Sequence, residues 1–576
     1  MLLKDFLKKY WWRYSIGVLF LVAVDLIQII IPKKVGEIVD ILKTPSPDLQ
    51  LILTIVTGVI FLALGLSLGR FLWRVTIIGV ARLFEFKTIN KMFFHIMDLD
   101  QDFYDRWRTG DLMTRFTSDT QTVMRMLGFG VIMLVDTLVV TVMTVLAMGE
   151  FVSWKLTLLS IIPIPFIAIV SVFFGRIIHK RFTKLQECTS ELSNITEESV
   201  SGIQVVKVFS NQSTMKDIFN ARSKKFYDSQ VSLTRVWGLM FPLINFLGAF
   251  SSLLVFFFGG KMVVNGEITL GNFVMTNSYV GMLIWPMMAF GWLMNILQSG
   301  RASLKRIKEV LNQQKSIVEK NDSIKDGFSG LYSFKNFSFS YPNTERIVLK
   351  DINITIEPGQ MIALVGKVGS GKSTLAKLMA KLYPVDNGML YLDSHDINDI
   401  DGKYIRENVS YVPQESFLFS MTIRENIAFS DKKNENRVGE YAAMASVDED
   451  IKRLAQGYET VVGERGVTLS GGQKQRVTIA RALAKDSRVI ILDDCLSAVD
   501  TETEEAIIKS LRKETMGKTV VIVSHRLKAV KNADQIFVFD NGSIIESGTH
   551  NELLRKKGLY NSMYEKQLIE EKLKEV

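Results

Sequence analysis

The stretch GKVGSGKS at 366–373 decides the fold of the C-terminal half. It fits the pattern G-x-x-x-x-G-K-[ST] in full. The apolar run MIALV (361–365) before it predicts a buried strand, and TLAKLMAKLY (374–383) after it predicts a helix. Strand, glycine-rich loop and helix in that order form the setting in which this pattern holds phosphate. Gly366, Gly369 and Gly371 let the backbone close around phosphate oxygens. Loop amides and the helix N-terminus supply partial positive charge. Lys372 would reach the β- and γ-phosphates, and Ser373 would offer its hydroxyl to Mg²⁺. Ser370 and Thr374 complete the expected nucleotide-binding set.

A second stretch, VIILDDCLSAVD (489–500), supplies the partner acid. Its apolar run predicts a buried strand that ends on two adjacent aspartates. Asp493 would hold Mg²⁺ through water. Cys495, at the edge of that strand, reads as a small packing residue. From 330 onward, short β-rich runs alternate with helical ones, as in an α/β nucleotide-binding domain. These features alone establish a P-loop nucleotide hydrolase and no more.

The first 300 or so residues read differently. Six apolar runs, near 15–32, 50–72, 128–149, 155–175, 239–260 and 272–297, approach the ~20 residues that span a bilayer. The connections after the second and fourth runs are long, charged and helically patterned, so the helices are expected to leave the membrane and return on one side. Six spans bring the chain back to the side on which it began. The basic N-terminal flank (Lys4, Lys8, Lys9, Arg13) and the need for ATP both make that side the cytosol. Residues 1–13 (MLLKDFLKKYWWR) read as an amphipathic, aromatic-rich segment at a membrane surface, with no secretory signal ahead of a cleavage site. The expected division is a transmembrane domain over 1–310, a linker over 311–329 and a nucleotide-binding domain over 330–576.

Composition agrees with a chain part in lipid and part in water. Mean hydropathy is +0.18 over 576 residues. The net charge of +9 is spread along the chain, which suits the flanks of membrane helices rather than a nucleic-acid patch. Two distant cysteines, Cys188 and Cys495, exclude a disulfide framework. Within the spans, Asp25 and Asp136 lie near the middles of the first and third, with Gln28 on the face of Asp25. They could attract a cationic amphipathic substrate or could join helices to one another. Spans five and six carry many Phe, Met and Trp residues, which could face lipid or an adaptable substrate surface. Pro242 and Pro286 permit a hinge or a fixed bend there.

The segment between the two phosphate-site elements narrows the reading. LSGGQ (469–473), between TVVGERG (460–466) and KQRVTIARAL (474–483), resembles the signature of ATP-binding cassette (ABC) transporters. The rest comes in that family's order over essentially all of 330–560. Tyr341 in FSFSYP resembles the aromatic that stacks on adenine. Gln414 in YVPQES resembles the lid glutamine that touches Mg²⁺ and senses the membrane domain. SAVD (497–500) resembles the loop that crosses to the partner subunit, and His525 in VIVSHRL the switch histidine that contacts γ-phosphate. FYDRWRTGDLMTRFTSDTQTV (103–123) and ITEESVSGIQVVKVF (195–209) resemble the long cytoplasmic loops of the family's exporters, which implies tips with short coupling helices that dock on the nucleotide domains. The implied fold is a six-helix exporter domain followed by an ABC nucleotide-binding domain. The implied cofactors are ATP and Mg²⁺, and the implied setting is the cytoplasmic membrane with its lipid. Ser470, Gly471, Gly472 and Gln473 would close on ATP held by a second subunit, since a serine before two glycines at a helix start makes an anion site.

One position departs from the family. After the metal aspartate the family usually places Glu, which polarises the attacking water; here it is Asp494. Its carboxylate falls roughly 1–1.5 Å short, the length of one methylene, and a displacement near 1 Å can cost about 10²-fold in rate. ATP at this chain's own site would then be held by Lys372 and its loop, with His525 in place, yet hydrolysed poorly. The intact LSGGQ would serve a partner half-transporter that has its own Glu. This implies a heterodimeric multidrug exporter of small amphipathic compounds with no nucleic-acid partner. A homodimeric lipid or lipopeptide flippase and an ATP-binding regulatory subunit are the alternatives.

Overall fold

The computed structural model describes residues 2–574 except 318, 321–322, 343, 464–468, 498 and 515–516. The chain divides into two units. One comprises Met1–Met97 and Thr109–Asn312; the other comprises Asp98–Arg108 and Gln313–Val576.

Among the described residues the first unit has six helices long and apolar enough to cross a membrane: α1 (Leu3–Leu42), α2 (Leu49–Met97), α3 (Thr109–Phe151), α4 (Trp154–Ser201), α5 (Gln212–Val264) and α6 (Leu270–Leu311). Each apolar run predicted from sequence lies inside one of them. They are far longer than the lipid requires: the 53 residues of α5 rise about 80 Å, against a hydrocarbon core of ~30 Å. The basic N-terminal segment is continuous with α1. There Phe6 packs edge-on against Phe84 with ring centroids 5.1 Å apart, and Lys87 Nζ donates to the Tyr10 hydroxyl at 2.5 Å. Pro242 and Pro286 sit inside helices that run through them. Asp25 is buried, one of its carboxylate oxygens has no hydrogen-bond partner, and its carboxyl adjoins that of Asp136. On the same face of α1, Gln28 accepts a bond from Arg70 at 3.2 Å. Gly69 lets α2 close on α1, since a Cβ there would meet Val24 Cγ2 at 2.5 Å. In the extension of α3 beyond its apolar run, Asp119 accepts two bonds from the Arg306 guanidinium, at 2.9 and 2.5 Å.

Among its described residues the second unit contains ten strands: β1 (Tyr332–Ser340), β2 (Ile347–Ile356), β3 (Met361–Gly366), β4 (Leu390–Leu392), β5 (His395–Asp396), β6 (Val409–Val412), β7 (Val489–Asp493), β8 (Thr519–Val523), β9 (Gln535–Asp540) and β10 (Ser543–Gly548). A six-stranded sheet has the order β10-β9-β3-β8-β7-β6, and a four-stranded sheet the order β2-β1-β4-β5. In the larger sheet β9, β3, β8, β7 and β6 are parallel neighbours, and β10 is antiparallel at one edge. The unbroken apolar runs of β3, β7 and β8 result from this, because a parallel strand covered on both faces has no polar side. Every residue of these three strands is buried. Two helices of this unit begin at the predicted motifs: α7 (Lys372–Met379) at the end of the glycine-rich loop, and α8 (Gly471–Leu483) within LSGGQ. Cys495 is 1% exposed within the core. The inserted segment Asp98–Arg108 carries a short helix, Gln101–Arg106. Its Asp105 accepts a bond from the Tyr383 hydroxyl at 2.6 Å, and Asp100 accepts from Ile317 N at 2.9 Å and Ser316 Oγ at 3.2 Å.

Candidate functional site

Parallel sheets leave their ligand crevice beyond the carboxyl ends of the strands. The predicted residues collect there, at the ends of β3 and β7 and in the segments after β6 and β8. Gly366 (φ 143°), Gly369 (φ 77°) and Gly371 (φ 103°) all hold positive φ, which the glycine-rich pattern anticipates. At Gly366 a Cβ would strike the Phe539 carbonyl oxygen at 2.1 Å, whereas at Gly369 it would meet nothing within 4 Å. The tip of the loop is therefore open while its base is tightly closed. Lys372 Nζ folds back into the loop and donates to the carbonyls of Gly366 at 3.0 Å and Lys367 at 2.7 Å, with the Ser370 hydroxyl at 3.3 Å. A lysine ammonium inside a glycine-rich loop is an arrangement that could serve as a cradle for phosphate.

The acids sit beside this cradle. Ser373 Oγ donates to Asp493 Oδ1 at 2.7 Å, and the Tyr411 hydroxyl donates to Asp493 Oδ2 at 2.8 Å. Gln414 Nε2 donates to Asp494 Oδ2 at 3.3 Å. The backbone of Asp494 is held by a bond from its N–H to the Val523 carbonyl at 3.0 Å. Its φ of 46° is a left-handed conformation that a short acid tolerates better than most residues. His525 interacts with both Asp494 and the Gly366 backbone. Tyr341 meets the P-loop helix directly: its hydroxyl lies 3.0 Å from Thr374 Oγ1, and its ring stands edge-on to Tyr383 at 5.0 Å. A serine hydroxyl and one carboxylate suit Mg²⁺, which keeps several waters and takes further oxygens from phosphate. No cluster of three or more His, Cys, Asp or Glu able to hold a metal occurs among the described residues.

Ser470, Gly471, Gly472 and Gln473 form a separate feature at the start of α8. Ser470 Oγ accepts from Gln473 N at 3.2 Å, and Gln473 Oε1 accepts from Ser470 N at 3.0 Å. This reciprocal cap fixes the first turn. The amides of Gly471 and Gly472 are among those that helix geometry leaves without an intrahelical acceptor. Part of the preceding TVVGERG and Ala498 of SAVD lie outside the described residues.

Comparison with known proteins completes the picture. Residues 14–287 match the ABC transporter transmembrane region, and residues 349–497 match the ABC transporter family. A probable multidrug resistance ABC transporter ATP-binding/permease protein of Bacillus subtilis is 38% identical, covering 98% of this chain and 96% of that protein. The chain belongs to the ABC transporter family. The Escherichia coli multidrug resistance-like ATP-binding protein MdlA is 35% identical over 98% of the transporter and 96% of its own length. An ATP-dependent lipid A-core flippase of Pseudomonas putida is 33% identical over 90% of the transporter and 86% of the flippase. A solved bacterial Atm1-family ABC exporter with ATP bound superposes with a TM-score of 0.79 at 25% identity, covering 97% of the transporter and 99% of that structure. The transporter is thus a multi-pass membrane exporter whose ATP-binding domain lies in the cytosol.

Burial shapes the electrostatics of the ATP-binding domain. It pushes Lys372 down to about 8, against the upward pull of Asp494 and Asp493. It pushes Asp494 above the ordinary carboxylate range, an effect His525 opposes and the charge of Asp493 reinforces. It also lowers His525, with help from the charge of Lys372. Burial and then the charge of Asp493 push the Tyr411 phenol up, so it remains a donor. A consequence can be measured. Phosphate raises the pKa of Lys372, so ATP binding near pH 8 takes up about half a proton, and less as pH falls towards 6.5. Calorimetric titration in two buffers of different ionisation heat reads this directly; no uptake at pH 8 would contradict the depressed lysine.

Two residues, Tyr411 and Arg526, make contacts that were not visible from the motifs. Tyr411 precedes Gln414 by three residues, and only the pairing of β6 with β7 brings it to Asp493. Arg526, next to His525, donates to the carbonyls of Val499 at 2.7 Å and Ser497 at 3.0 Å and pairs with buried Glu504 at 2.8 Å. It therefore holds the SAVD loop.

Proposed function

We propose that the transporter is one half of a heterodimeric multidrug-type exporter that binds ATP firmly at its own site but hydrolyses it weakly there. The observation that carries this is Asp494. It occupies the position next to Asp493 that faces the phosphate cradle, one methylene shorter than glutamate and engaged by Gln414. Lys372, the loop glycines, Ser370 and Thr374 would bind the phosphates, and Tyr341 would stack on adenine. Ser373, Asp493 and Gln414 would hold Mg²⁺, which supplies charge neutralisation on phosphate oxygens when bound. His525 would sense the terminal phosphate. The capped turn Ser470–Gln473 would close on nucleotide held by the second subunit. Two of the relatives carry multidrug resistance in their names, which favours small amphipathic cargo. The lipid A-core flippase relatives favour a second reading, a homodimeric lipid flippase with Asp494 as a working base.

The test is ATP turnover of the purified full chain, alone and co-expressed with a half-transporter that has Glu after its metal aspartate. Uptake of a fluorescent lipophilic cation into inside-out vesicles is measured alongside. Near silence alone and activity in the pair supports the heterodimer. Brisk turnover alone, with lipid and not the cation moved, supports the flippase.

A further inference from the structure

Strand β6 presents two side chains to the two adjacent acids. Tyr411 bonds Asp493, and Gln414, just beyond the strand, bonds Asp494. The parallel register, with Tyr411 opposite Ile491 and Val412 opposite Leu492, brings the end of β6 level with the acids at the end of β7. The Tyr411 ring packs against the core that contains Ile491, Leu375 and Tyr383, so its position is set by packing and only its hydroxyl reaches the site. Asp493 is 1% exposed. Its two oxygens are each met by one hydroxyl, Ser373 on Oδ1 and Tyr411 on Oδ2. A carboxylate can only accept, so both hydroxyls donate, and both bonds are charge-assisted. With a donor on each oxygen the carboxylate plane is fixed, and with it the direction in which the remaining lone pairs point.

We propose that Tyr411 is a positioning residue for the metal carboxylate: its hydroxyl orients Asp493 for the Mg²⁺ that accompanies ATP. This rests on the reading of Asp493 as the carboxylate that serves the metal. Ser373 cannot do the work alone, because its hydroxyl oxygen is itself the expected metal ligand. Tyr411 reaches the carboxylate from β6 rather than from the phosphate loop. It belongs to the outer layer of hydrogen bonds that aims a ligand, and loss of such a partner typically costs 10–100-fold in metal affinity.

The experiment is titration of the full-length transporter in lipid nanodiscs with a fluorescent ATP analogue, in EDTA and across a Mg²⁺ series. Wild type, Tyr411→Phe and Asp493→Ala are compared. Tyr411→Phe keeps the ring and removes only the hydroxyl. The expected result is unchanged binding in EDTA, which also reports intact folding, with the Mg²⁺ needed for half of its effect raised about 10-fold or more. Asp493→Ala should abolish the Mg²⁺ effect. If Asp493→Ala does so while Tyr411→Phe titrates as wild type, the role of Tyr411 is overturned and the metal reading stands. If Asp493→Ala keeps the full Mg²⁺ effect, the metal reading falls and the proposal with it. Equal weakening of Tyr411→Phe in EDTA and in Mg²⁺ would make the tyrosine a packing residue only, which also overturns the proposal.

Discussion

Asp494→Glu is expected to raise ATP turnover at the transporter's own site by about 10²-fold. The side chain leaves a backbone already held by the bond to Val523, so the added methylene lengthens reach without moving the anchor. Burial raises this acid's pKa and so makes its carboxylate a stronger base; on this reading the aspartate falls short in position rather than in basicity. The left-handed φ of 46° suits Asp better than Glu, and part of the gain is spent on about 1 kcal/mol of backbone strain. Single-turnover hydrolysis by the purified chain, with and without the half-transporter partner, is the measurement. An unchanged rate in both settings would mean that aspartate already serves as the base, and the homodimeric flippase would become the better account.

Gly471→Asp is expected to cut turnover of the assembled pair by about 10²–10³-fold, the cost of losing an anion-stabilising donor. The substitution places a carboxylate in the first turn of α8, where a helix tolerates negative charge well. Ser470 and Gln473 keep their reciprocal cap, so the helix should form as before. The partner's terminal phosphate would meet a like charge where it needs amides. In the same pair Asp494→Asn should leave turnover close to that of the unmodified complex, because on the heterodimer reading the productive base would belong to the other half. Measuring both variants side by side makes the comparison sharp. If Asp494→Asn silences the pair as fully as Gly471→Asp does, this chain hosts the working site and the heterodimer reading fails.

The P-loop was legible because its chemistry is local: three glycines, a lysine and a serine within eight residues, flanked by the strand and helix they require. Asp493 was legible because a short apolar run ending in acid has few other meanings. Tyr411 was hidden for the opposite reason. Its partner is 82 residues away, and only strand pairing makes them neighbours. Arg526 was hidden in the same way behind the more familiar His525. In the membrane unit, apolar length located all six spans. It could not say how far each helix continues once the apolar run stops, nor that α5 and α6 run through Pro242 and Pro286. Those outcomes depend on packing between helices, which a single span's composition does not encode. The placement of Asp98–Arg108 in the second unit was legible only through the resemblance of the segment from 103 onward to a family loop whose tip docks on the nucleotide domain, because the local pattern alone shows only a short amphipathic helix.

That placement has a consequence for how the protein is made. Phe103, 3% exposed, and Asp105 leave the ribosome some 200 residues before the first continuous segment of their own folding unit. At bacterial or eukaryotic translation speeds that is a wait of about 10–40 s. Through that interval an apolar aromatic at the tip of a cytosolic hairpin has no seat, and the ATP-binding domain that emerges later is missing one of its parts until the two meet. Synthesis of this chain therefore includes a period of waiting imposed by gene order, during which a chaperone or a protease has its best access to the nascent loop.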